Sequence, residues 1–93
     1  MLSIKIASAD LCYLIESNFE KTIIDSLKHN HFKKFDTVYL NIEKPIAELI
    51  LDYLGNELMR AGIRENGEPN DFGIMLESII DKFSREVYGP DPN

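Results

Sequence analysis

A chain of 93 residues with 44% apolar and 28% charged residues has the make-up of one globular domain built on one core, and is too apolar for intrinsic disorder. No apolar run approaches the ~20 residues that cross a bilayer, and a single cysteine, Cys12, cannot close an internal disulfide. The net charge of −6 is one-sided: residues 1–40 carry five acids and five lysines, whereas residues 41–93 carry eleven acids against five bases. A field of that sign repels nucleic-acid phosphates and attracts basic partners, so no nucleic-acid partner is expected.

The elements follow in chain order. Leu2 to Ala7 alternates Ile4 and Ile6 with Ser3 and Lys5, the period-2 pattern of a strand buried on one face. Lys5 and Asp10 also interrupt any run resembling a signal peptide, which sets the expected compartment as a reducing cytoplasm. From Ser8, an acceptable N-cap, Leu11, Ile15, Phe19, Ile23 and Leu27 recur every fourth residue and predict one helix of about five turns ending near His29. Ser17-Asn-Phe-Glu20 matches a capping box, leaving open a break at Ser17 with Leu11 to Ile15 as a second strand.

His29-Asn-His-Phe-Lys-Lys34 is polar and reads as a loop, and Asp36 to Ile42 alternates as the clearest strand of the chain. Pro45 to Gly62 is a helix apolar around most of its circumference. Proline suits its first turn, and Gly62 suits a left-handed residue closing it. Asn66-Gly67 signals a turn in the connection Arg64–Asn70. The last helix, Asp71 to Tyr88, confines Phe72, Leu76, Ile79, Ile80, Phe83 and Val87 to one stripe expected to pack on the preceding helix. The order β-α-β-α-α predicts an α+β fold: one domain over residues 1–88, with a two-stranded sheet covered by three helices and a loose tail at 89–93. Parallel pairing of neighbouring strands would require a right-handed crossover.

Little in the chain matches catalytic or metal-binding chemistry. His29-x-His31 has the spacing of a metal pair, yet Cys12 stands roughly 25 Å away along the predicted helix and cannot join it. Glu16 at the margin of an apolar stripe could become a general acid by burial, but no nucleophile or second acid has a spacing that pairs with it. Setting Gly67 as the sixth residue of a calcium loop puts glycines at its first and twelfth positions, so that match fails. No metal and no cofactor is expected. Lys28, Lys33 and Lys34 are too few for a nucleic-acid patch.

The acids of the second half are more informative. Glu48 and Asp52 are one turn apart on the Pro45–Gly62 helix, Glu65, Glu68 and Asp71 crowd the connection, and Glu77 and Asp81 are one turn apart on the last helix. Leu49, Tyr53, Ile74 and Tyr88 lie among them and supply the apolar contact that binding needs. These residues form the candidate protein-binding surface.

The segment LGNELMRAGIRENGEPNDFGIMLESIIDKF, about a third of the chain, resembles small immunity proteins of bacterial contact-dependent growth inhibition and related polymorphic toxin systems. That resemblance implies a cytoplasmic, non-enzymatic protein that neutralises one cognate toxin domain, often a nuclease, by covering its active site or substrate surface. The alternative from the sequence is a homodimeric structural or adaptor module whose exposed strand edge pairs with its twin.

Overall fold

The structure, a computed structural model, describes residues 1–89. It is an α+β fold in the order β1 (Leu2–Ala7), α1 (Ser8–Glu16), α2 (Lys21–His29), β2 (His31–Lys34), β3 (Thr37–Ile42), α3 (Lys44–Ala61) and α4 (Asp71–Tyr88). The sheet has three strands in the order β1-β3-β2, antiparallel throughout, and so differs from the two-stranded sheet the sequence predicts. The chain divides into two compact units, Met1–Ile46 and Ala47 onward, with the division inside the first turn of α3.

In the first unit, β1 and β3 pair in the register Leu2↔Ile42, Ile4↔Leu40 and Ile6↔Val38. Because side chains alternate across a strand, all six belong to one face. Ile4, Ile6, Val38, Leu40 and Ile42 are buried there, and Leu11, Leu14, Ile23 and Leu27 are the buried apolar residues of α1 and α2. Full burial of each such side chain contributes about 1.5–3 kcal/mol.

The long first helix expected from the sequence is two helices. Recurrence at every fourth residue overshoots a helical turn by about 40° each time, so a stripe from Leu11 to Leu27 winds around a straight helix instead of staying on one face. The break at Ser17 resets the phase. Ser17 turns extended (ψ 164°), its hydroxyl donates to the Tyr13 carbonyl at 2.7 Å, and α2 starts afresh after Glu20. Ser17 thus closes α1 instead of opening α2, and Leu11 to Ile15 is helix, not strand.

At the start of α1, Ser8 is the first helical residue and not the cap. The Asp10 carboxylate accepts from the Ala7 amide at 3.1 Å, while the Ser8 amide and hydroxyl donate to the Asp36 carbonyl. The strand β1 therefore enters α1 with no loop, tied to the β2–β3 turn.

The polar segment expected to be a loop forms β2, pairing His31↔Leu40, Phe32↔Tyr39, Lys33↔Val38 and Lys34↔Thr37. Only His31 of its four residues is even half-buried, so the strand has no apolar alternation to betray it; its cause is backbone pairing to β3. Phe35 and Asp36 make the turn, and Phe35 has φ +57°.

In the second unit, Ala47, Ile50, Leu51 and Leu54 of α3 and Gly73, Leu76, Ile79, Phe83 and Val87 of α4 are buried. Pro45 sits in the first turn of α3, as its missing N–H favours. Gly62 does not take the left-handed conformation: among the described residues only Phe35, Gly67 and Gly89 have positive φ. Gly62 is needed for another reason. A Cβ on Gly62 would lie 2.9 Å from the Gly73 Cα, and a Cβ on Gly73 would strike the Gly62 carbonyl oxygen, so two bare backbones meet where α3 ends and α4 begins.

Asn70 joins the two helix ends. Its side-chain oxygen accepts from the Gly73 amide at 2.8 Å, its side-chain nitrogen donates to the Ala61 carbonyl at 2.9 Å, and its own amide donates to Gly62. One residue caps both helices. Between them Ile63 bridges Pro69, and Gly67, at φ +87°, donates to Arg64 in the turn that Asn66-Gly67 signals. Of the predicted tail, Gly89 ends α4 at φ +81°, and Pro90–Asn93 lie outside the described residues.

Candidate protein-binding surface

The outward side of α4 is built by helical spacing. At 100° per residue, Ile74, Glu77, Asp81 and Tyr88 fall within an arc of about 60°, on the side away from Leu76, Ile79, Phe83 and Val87. All four are exposed, Ile74 at 56% and Tyr88 at 72%. Two large apolar side chains thus stand in water beside two carboxylates on one side of α4. Among the described residues, no ion pair engages Glu77 or Asp81. Their charge is therefore directed to solvent.

On α3, Glu48, Asp52 and Met59 fall within about 40° of one another, and Leu49 lies about 60° to one side. All four are exposed. Tyr53 is half-buried and already engaged within the fold, so its ring is less available than the sequence suggests. Near the end of α3, the Arg60 guanidinium grips both carboxylate oxygens of Glu57, at 3.0 and 2.7 Å. That hydrogen bonding, with the adjacent positive charge, holds the Glu57 carboxyl below its ordinary range.

Glu65 and Glu68 are exposed on the 62–70 connection, where the Glu68 amide donates to the Asn66 side chain at 3.0 Å. Asp71 opens α4, where a carboxylate is favoured by the helix dipole. Glu77 and Asp81 are thus gathered with Ile74 and Tyr88, and Glu48 and Asp52 with Leu49. Met59 belongs with the α3 set, although no acid-and-apolar spacing in the sequence singles it out.

The groups considered for chemistry are occupied structurally or stand apart. His31 Nδ1–H donates to the Leu27 carbonyl at 2.7 Å, tying the start of β2 to the last turn of α2. His29, Cys12 and Glu16 are exposed. No group of three or more His, Cys, Asp or Glu side chains able to hold a metal occurs among the described residues. The buried carboxylate of the first unit, Asp10, is committed to the start of α1.

The face of the sheet opposite the buried one carries a feature with no counterpart among the sequence expectations. Phe32 and Tyr39 stack there with ring centroids 4.9 Å apart and planes 13° from parallel. The two aromatic residues of β2 and its turn, Phe32 and Phe35, are signalled only by a Phe-Lys-Lys-Phe run that lacks alternation. No protein-family model, curated protein or solved structure matches this chain.

Proposed function

We propose that the chain is a non-catalytic binding protein of the cytoplasm that neutralises a basic toxin domain by direct contact, as the resemblance to immunity proteins implies. The observation that carries this reading is the α4 face, where exposed Ile74 and Tyr88 flank Glu77 and Asp81, acids engaged in no ion pair among the described residues. The two apolar side chains supply contact energy, since a few central anchors dominate most interfaces. The carboxylates supply steering, which raises the association rate and makes it salt-sensitive. Leu49, Glu48 and Asp52 on α3 and Glu65, Glu68 and Asp71 around the connection extend the acidic surface available to such a partner.

The test is co-expression with the product of the neighbouring reading frame. Growth rescued by this chain, and lost when Ile74 and Tyr88 are both changed to alanine with the fold intact, supports the proposal. Failure to rescue, or rescue indifferent to those changes, refutes it.

A second reading, a homodimeric structural or adaptor module, is favoured by β1. This six-residue strand lies at the edge of the three-stranded sheet and pairs there with β3 alone, the position from which a strand can pair with a twin. A strictly monomeric mass at high concentration would eliminate it.

A further inference from the structure

We propose that the outer face of the three-stranded sheet binds single-stranded nucleic acid. The net charge argues against such a partner, but the charge is segregated. The three strands contain Lys5, Lys33 and Lys34 and no Asp or Glu, whereas the five acids of residues 1–40 lie outside the strands, in α1, in α2, at Glu20 and at the Asp36 turn.

The register sorts the strand residues into two faces. Opposite the buried face, one cross-strand row reads Lys5–Tyr39–Phe32, the next Ala7–Thr37–Lys34, and a third Ser3–Asn41. Ser3, Lys5, Ala7, Phe32 and Lys34 are exposed, and Thr37, Tyr39 and Asn41 are half-buried. The strand residues of this face therefore offer two ammonium groups, a stacked aromatic pair, hydroxyls and an amide, with no carboxylate among them.

That inventory fits one ligand chemistry closely. Phe32 is 55% exposed, so a nucleobase can extend the Phe32–Tyr39 stack on its outward side. Such stacking is worth about 1–3 kcal/mol per base and tolerates any sequence. Lys5 and Lys34 meet phosphates, and Ser3, Thr37 and Asn41 can bond base edges or a 2′-hydroxyl. A purely acidic peptide such as oligoglutamate matches the charge but brings no aromatic faces for the rings. A duplex matches the charge but keeps its bases stacked.

The hairpin tip adds an independent observation. Phe35 is 87% exposed and holds φ +57°, a conformation unfavourable for a bulky side chain, where asparagine or glycine would be at ease. An aromatic ring held in water at the expense of backbone strain, at the end of this same hairpin, points to use in contact.

Fluorescence anisotropy of a fluorescein-labelled oligouridine, titrated with the full chain at low and at physiological salt, tests the proposal. Binding is expected at low salt, with log affinity falling with log salt at a slope of about −1.4 to −2, the value for two or three phosphates on a single strand. Phe32→Ala should weaken binding about 5-fold or more. Phe32→Leu, which keeps apolar bulk but no π face, should weaken it similarly, and Lys5→Glu or Lys34→Glu should weaken it and flatten the slope. Absence of binding by the folded protein overturns the proposal. So does affinity unchanged in both Phe32 variants, equal affinity for a duplex, or competition by oligoglutamate as effective as by unlabelled oligouridine.

Discussion

Gly55 and Gly73 are both helical, yet they should respond oppositely to one added methyl group. A Cβ on Gly73 would strike the Gly62 carbonyl, a backbone atom that cannot swing aside, whereas a Cβ on Gly55 meets nothing within 4 Å. Gly73→Ala should therefore destabilise the chain by about 1–3 kcal/mol or more, the usual range for overpacking. Gly55→Ala should stabilise it by about 0.5–1 kcal/mol, because alanine loses less backbone freedom in a helix. Urea denaturation of the two variants decides the matter, and equal effects would contradict the packing described here. Asn70→Ala should cost about 1–2 kcal/mol by the same measurement, since it uncaps α4 and leaves the Ala61 carbonyl without its partner. Much at this scale was legible in the residue types: Pro45 in a first helical turn and Asn66-Gly67 in a turn. The role of Gly62 was not. A glycine after a helix usually signals a left-handed cap, and only the approach of Gly73, eleven positions along, reveals that the missing side chain is what matters.

Elements were legible where burial imposes a period. Ile4 and Ile6 in β1, Val38, Leu40 and Ile42 in β3, and the stripe of α4 all alternate or recur as their elements require. Two elements escaped for definite reasons. The strand β2 lies at an edge with three of its four side chains exposed, so nothing in its composition distinguishes it from a loop. The break between α1 and α2 is hidden because residues spaced by four satisfy a helical template over any two turns, while the accumulated phase error appears only over five. Ser17 carried a signal, and it was the end of one helix more than the start of another. Hydrogen exchange offers a check at this scale. Amides of β3, paired on both sides, should exchange more slowly than those of β2, paired on one. Equal protection, or faster exchange in β3, would contradict the strand order.

For the whole molecule, the separation of charge between the two halves is the property on which the proposed function rests most directly. It was legible in the residue counts, and the structure adds which acids keep company with exposed apolar side chains: Glu77 and Asp81 with Ile74 and Tyr88, and Glu48 and Asp52 with Leu49 and Met59. The concentration of lysines in the strands could not be read in advance, because it depends on β2 being a strand at all. The central claim is that α4 presents an acidic docking face to a basic protein. Its most direct test is the association rate with the neighbouring-frame product over a salt series, for the native chain and for the Glu77→Lys/Asp81→Lys variant. The expected result is association that is fast at low salt and falls steeply as salt rises, slowed about 10-fold or more at low salt by the double reversal, with the salt dependence flattened. Association unchanged in rate and in salt dependence, with the variant folded, would contradict it.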